Sequence, residues 1–255
     1  MVDLHCHILS GMDDGAKSFA ESLAMAEMAI ADGITHVVAT PHASPEFRFD
    51  YAKVKREAEK LQNALASRLK LATGCDFHMS PENVAALKKT PSTFCIDQKD
   101  YLLVEFNDFA IAPAMDQTLY EIQLAGLRPI ITHPERNGIL RAQPERLEKW
   151  IRNGCYGQVT GGSLTGAFGE NIQAISMEWI ARGLTHFIAS DAHNTTLRPH
   201  KLRAAYNAVE REFGRAKAEA LLVENPLAAF EGRGLPHVPE ISGTTVRKKK
   251  RFLFF

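Results

Sequence analysis

Asp3-Leu4-His5-Cys6-His7 is the stretch on which the reading of the fold turns. Side chains on an extended strand repeat with period two, so His5 and His7 project from one face and Cys6 from the other. Two imidazoles spaced this way can share one metal ion. A single pair is weak grounds for a metal, because polar residues at strand ends are commonplace. Its meaning depends on whether later strands end in the same way.

They do. Apolar strands are predicted at 35–40, 69–73, 101–106, 129–132, 156–160 and 186–190. Helices are predicted between them. Ser18 with Glu21 forms a capping box for the first, which Gly33 stops. Others are expected at 51–66, 80–87, 115–125, 144–153, 170–182, 201–213 and 216–223. Regular alternation of this kind argues for parallel strands with right-handed crossovers. His42, Asp76, Glu105, His133, Asp191 and His193 fall at or just past the C-terminal ends of successive strands. In a barrel those ends converge on one rim, where active sites of this architecture lie. An open sheet would spread them along a line, so one barrel-like domain is expected over 1–231. A Gly/Pro-rich, then basic, tail is expected over 232–255.

Composition bounds the function. Of 255 residues, 45% are hydrophobic and 24% charged, as in ordinary globular proteins. Thirty basic residues balance thirty acidic ones, so no overall field recruits nucleic acid. Cys6, Cys75, Cys95 and Cys155 show no CxxC and no disulfide-like spacing, which fits a cytoplasmic location. No signal peptide is expected before Asp3, and no apolar run suits stable membrane insertion. A cysteine-phosphatase loop needs arginine six positions after its cysteine. Met12, Pro81, Tyr101 and Gly161 occupy those positions, so no cysteine qualifies. Histidine and carboxylate ligands without thiolate suit Zn, Mn or Fe.

The motifs Asp3-Leu4-His5-Cys6-His7, Asp13-Asp14-Gly15, Pro41-His42, Leu103-Val104-Glu105-Phe106, His133-Pro134-Glu135-Arg136 and Ser190-Asp191-Ala192-His193-Asn194 resemble the polymerase-and-histidinol-phosphatase (PHP) superfamily. Within it they are most similar to the bacterial tyrosine-protein phosphatases of capsular polysaccharide loci. The resemblance implies a distorted (β/α)7 TIM-like barrel holding two to three divalent ions, manganese first, with iron or zinc as alternatives. It assigns His5, His7 and Asp191 to one ion, and Glu105 and His133 to a second. It assigns Asp14, His42 and His193 to the third. A bridging carboxylate between the first two is glutamate in the family and Asp76 in this chain, one methylene shorter. His78, two residues on, could compensate from the same face.

The chemistry so implied is phosphomonoester hydrolysis. Neighbouring divalent ions hold a hydroxide at neutral pH and clamp phosphoryl oxygens. Arg136 and Arg198 are placed to bind the phosphate. The implied substrate is a phosphotyrosine protein, a membrane-associated bacterial tyrosine kinase controlling exopolysaccharide or capsule synthesis; self-association is left open. Two further readings stand beside it. One is a small-molecule phosphatase of the histidinol-phosphate type. The other is a weakly active, metal-binding partner of a kinase.

Overall fold

The computed structural model describes residues 1–242, which leaves the whole basic stretch expected in the tail, Arg247 to Arg251, outside the described residues. The strands are β1 (Val2–Cys6), β2 (His36–Ala39), β3 (His42–Ala43), β4 (Lys70–Thr73), β5 (Asp76–His78), β6 (Tyr101–Glu105), β7 (Arg128–Thr132), β8 (Tyr156–Thr160) and β9 (Phe187–Ala189). All pair in parallel, in the orders β1-β2-β4 and β3-β5-β6-β7-β8-β9. Chain order makes these two ladders one. Past the second and third predicted strands the chain resumes as a further segment after Thr40-Pro41 and after Gly74-Cys75, so β3 continues β2 and β5 continues β4. Pro41 brings no N–H to a ladder. Asp76 therefore opens a strand segment instead of following the end of one.

The ring closes between β9 and β1. The Asp191 N–H donates to the His5 carbonyl at 2.9 Å, and the His7 N–H donates to the Ala192 carbonyl at 2.8 Å. Asp3 fastens the seam from beneath: Oδ1 accepts the Ser190 N–H at 2.9 Å, and Oδ2 pairs with His200 Nδ1 at 2.9 Å. The seven-stranded barrel is thus complete.

Strand alternation sorts the side chains. Leu102, Val104 and Ile131 pack outward against the helices Met115–Leu124 and Pro144–Arg152, which bring Leu119, Ile122, Leu147 and Trp150. Leu4, Val38, Ala72, Leu103, Ile130 and Phe187 fill the interior as an apolar plug. The same parity places Glu105, Thr132 and Gln158 inside, one step nearer the rim. β1 departs from strict alternation. Leu4 joins the plug and Cys6 the outer core, and a register irregularity between Asp3 and Cys6 lies where the parity changes.

Short helices that were not predicted complete the chain: Gly161–Leu164, Gly138–Ala142 and Asn225–Glu231, the last of which brings Ala229 onto the plug. Among the described residues no helix is long and apolar enough to cross a membrane.

His186 carries a stability prediction. It is buried at the entry to β9, and its Nδ1 accepts the Gly157 N–H at 3.2 Å. Burial, with Lys217 assisting, pulls its pKa from 6.5 down to about 4. The folded state therefore takes up its proton later than the unfolded chain does. Stability is intact above pH 6.5 and is lost as pH falls from 6.5 towards 4. By pH 5 the loss from this group should be about 2 kcal/mol. His186→Asn keeps an acceptor for Gly157 but cannot titrate. Urea melts at pH 7 and pH 5 should show the variant losing less stability than the wild type over that interval. Equal losses would exclude the role.

Candidate metal centre

His5 and His7 are held by their Nδ1 atoms. His5 Nδ1–H donates to Gln158 Oε1 at 3.0 Å, and His7 Nδ1–H donates to Asp13 Oδ2 at 2.6 Å. Both rings are buried, and both Nε2 atoms face the centre, 3.3 Å apart. Asp13 also accepts the backbone N–H groups of Gly15 and His42, both at 2.9 Å, which fixes the loop and the third histidine together. Gly15 is required there, because a Cβ would lie 2.1 Å from the His7 carbonyl oxygen.

Asp76 lies at the middle of the site and is fully buried. Its Oδ2 is 3.3 Å from His5 Nε2, 3.5 Å from His42 Nδ1 and 3.8 Å from His133 Nε2. The shorter aspartate thus reaches the centre. Its other oxygen accepts the Thr132 hydroxyl at 3.3 Å. His42 faces two ways: Nε2 is 3.5 Å from Asp14 Oδ1, while Nδ1 is 3.4 Å from Glu105 Oε2. His193 Nε2 is likewise 3.5 Å from Asp14 Oδ1, and His133 Nε2 is 3.6 Å from Glu105 Oε1.

All nine ligand candidates therefore converge, but they group differently from the family assignment. Mutually close donors form the sets His7/Asp14/His42/His193, His5/His7/Asp76 and His42/Asp76/Glu105. His7, His42 and Asp76 are each shared between sets. His133 and Asp191, expected as ligands, fall in none of these sets, and neither does His78, which is registered beside Glu105 with its Nδ1 buried without a partner.

Asp191 is divided between two environments. Oδ1 is 3.5 Å from both His5 Nε2 and His7 Nε2. Oδ2 accepts hydrogen bonds from Arg136 and Arg198, so the two expected phosphate ligands meet on one oxygen. The Arg136 guanidinium also lies 4.9 Å from the centre of the Phe168 ring. His133 and Asp191 both have positive φ, 31° and 53°, which is costly for residues other than glycine.

The donor set fits a cation. Nδ1 of His5 and Nδ1 of His7 are each taken by an orienting acceptor, which leaves their Nε2 atoms turned towards each other and towards two carboxylates. Burial opposes charge on His7, but Asp13 and Asp191 outweigh it and raise its pKa to about 10, so positive charge is favoured at this point. Burial also opposes ionisation of Asp76 and Asp191, yet the surrounding histidines, with Arg136 beside Asp191, hold both well below the usual carboxylate range. The Asp76 Oδ2 is buried with no hydrogen-bond donor. Such an oxygen among imidazoles is what a divalent ion would satisfy.

Sequence reasoning passed over several orienting residues. Gln158 sits inside a strand otherwise read for its apolar content. Glu135 is fully buried and accepts the Thr160 N–H at 2.9 Å and the Ser163 hydroxyl at 2.6 Å. It thereby ties the end of β7 to the segment that leads to Phe168. A polar residue of interior parity was the available signal for Gln158. Phe168 gave none.

A family model for capsular polysaccharide synthesis, CpsB/CapC, matches residues 1–231. The tyrosine-protein phosphatase YwqE of Bacillus subtilis (strain 168) is 34% identical over 259 residues, covering 100% of each chain. The tyrosine-protein phosphatase CpsB of Streptococcus agalactiae serotype V is 29% identical over 241 residues, covering 88% of this chain and 96% of its own. A solved structure from work on YwqE of Bacillus subtilis and CpsB of Streptococcus pneumoniae, described as unique metal-dependent tyrosine phosphatases, superposes with a TM-score of 0.87. It shares 32% identity and covers 96% of this chain and 100% of its own.

Proposed function

The chain belongs to the CpsB/CapC family of capsular polysaccharide synthesis, and from that premise we propose that it is a metal-dependent phosphatase acting on phosphotyrosine in a protein. The observation that carries the reading is the meeting of two guanidiniums and two imidazole nitrogens on Asp191. His5, His7, Asp14, His42, Asp76, Glu105, His133, Asp191 and His193 would hold two to three divalent ions, manganese first. When bound, those ions supply Lewis acidity and a nucleophile available at neutral pH.

The remaining work falls to the chain itself. Asp13 and Gln158 hold the two leading imidazoles in one tautomer and one orientation. Arg136 and Arg198 offer forked donors to equatorial phosphoryl oxygens, where charge must be balanced during transfer. Arg136 is steadied for this by Phe168 and by Asp191. A tyrosyl phenolate, with a pKa of about 10, leaves with far less help from a proton donor than an alkoxide would. That favours an aryl ester over the histidinol-phosphate alternative. The finer reading is that the substrate is a membrane-associated tyrosine kinase of the bacterial cytoplasm, and that residues 1–231 make up the phosphatase domain.

A phosphotyrosine peptide, histidinol phosphate and single-stranded DNA should be compared with one metal-loaded preparation. Hydrolysis of the peptide at least tenfold above the others is expected. Preference for histidinol phosphate would overturn the reading.

Thiol chemistry gives an independent check. All four cysteines are free and buried, and burial pushes Cys95 and Cys155 up to about 12 and Cys6 and Cys75 well above their ordinary value. Iodoacetamide should leave turnover unchanged in the native protein, whereas EDTA should abolish it, with recovery on adding Mn. Inactivation by the alkylating agent with EDTA harmless would exclude metal-dependent hydrolysis.

A further inference from the structure

Five large apolar side chains are conspicuously exposed among the described residues, and the two most exposed are Phe109 at 93% and Leu197 at 87%. Both stand on the catalytic rim. Phe109 lies four residues beyond Glu105, and Leu197 lies four residues beyond His193. Scattered exposed hydrophobes are ordinary on a protein surface. These two are distinguished by how they are held.

Each tip is pinned by an asparagine. Asn194 Oδ1 accepts the backbone N–H groups of Thr196, Leu197 and Arg198 at 3.1, 2.7 and 3.0 Å. Asn107 Oδ1 accepts those of Phe109 and Ala110 at 2.7 and 3.2 Å. Such turns fix the backbone from which each side chain projects. Each tip is also joined to one of the two arginines. Leu197 directly precedes Arg198. The Phe109 turn is tied through the Asn107 carbonyl, which accepts from Asn137 Nδ2 at 3.1 Å, and Asn137 directly follows Arg136. An exposed apolar group is thus carried on a loop joined to each proposed phosphate contact.

Resting on the function proposed above, we infer that Phe109 and Leu197 are specificity residues that grip the polypeptide flanking the phosphotyrosine. A tyrosyl side chain reaching the metal rim leaves its own backbone outside, at the level of the loops. Apolar neighbours of the phosphotyrosine would then meet these tips and bury them. A small aryl phosphate reaches the same arginines without touching either tip.

The test uses Phe109→Ser, Leu197→Ser and the double variant as metal-loaded full chains. Three substrates are compared: p-nitrophenyl phosphate, a phosphotyrosine peptide flanked by leucines, and the same peptide flanked by glycines. Each single variant should lose about tenfold in kcat/KM on the leucine peptide, mainly through KM. Rates on p-nitrophenyl phosphate should stay within about twofold, and the wild-type preference for leucine over glycine flanks should shrink. Equal losses on all substrates would assign the tips a structural role and overturn the inference. So would unchanged rates on the leucine peptide. A fall in oligomer mass on sedimentation, with peptide kinetics unaltered, would show that a second copy of the chain covers the tips instead. A wild-type protein that cleaves p-nitrophenyl phosphate but neither peptide would overturn the proposed function itself, a result distinct from failure of the variants alone.

Discussion

Asp76→Asn is expected to cut turnover of a phosphotyrosine peptide by about 10³-fold, and to reduce bound metal in the same preparation. The substitution is isosteric, so packing is kept and only charge is removed. Asp76 is fully buried, with three imidazole nitrogens ranged around a single oxygen. A neutral amide there leaves cationic charge without its compensating carboxylate, at a cost of about 4 kcal/mol. The choice of rotamer makes matters worse, because one orientation of the amide turns N–H groups towards the metal donors. Asp76→Glu restores the residue type of the family but adds a methylene where no space is exposed. Since overpacked sites lose geometry, it should also be slower than wild type, by less than the asparagine variant. Elemental analysis and peptide kinetics on both variants check this. Full metal content and full turnover in Asp76→Asn would remove Asp76 from the centre. A faster Asp76→Glu would mean that the natural protein is a weakened phosphatase, as the regulatory reading requires.

The candidate ligand positions stood out because they interrupt apolar strands at their C-terminal ends, where no packing need explains a histidine or an acid. Glu105 after Leu103 and His133 after Ile131 are cases of this. The alternation of strands and helices gave parallel pairing, and the histidines and acids at successive strand ends chose a barrel over an open sheet. Other features had no local signal. The breaks at Pro41 and Gly74 place β3 and β5 in a separate ladder, and a linear reading took Asp76 as the cap of a strand it in fact begins. The left-handed backbone of His133 and Asp191 is imposed by closure of the barrel rim, since neither residue type prefers it strongly enough to be read from sequence. The helix Gly161–Leu164 begins with two glycines, which argue for a turn until Glu135, distant in sequence, holds its start in place. Sharing of Asp76 between sets was implied by its expected bridging place, but sharing of His7 and His42 is a property of three-dimensional convergence, and a motif-by-motif assignment divides them.

The two arginines are expected to act together, and the form of their coupling is itself a prediction. Arg136→Ala and Arg198→Ala should each slow phosphotyrosine peptide hydrolysis by about 10²-fold, the loss of one charge-assisted contact to transition-state oxygens. Metal content should be unchanged, since neither side chain belongs to a donor set. Were the two independent, the double variant would fall by about 10⁴-fold. They are not independent in this structure, because both guanidiniums end on Asp191 Oδ2. Removing one leaves the other held more firmly by the buried carboxylate and less free to turn to phosphate. Each single loss therefore already includes part of its neighbour's contribution, and the double variant should stop near 10³-fold. Arg→Lys at either position keeps the charge but not the fork, so it should recover only part of the rate. If Asp191 merely anchored surface cations, single and double variants would turn over the peptide at wild-type rates. A double variant that loses metal as well would show instead that the arginines hold Asp191 in place for the ions, and their effect would then be structural.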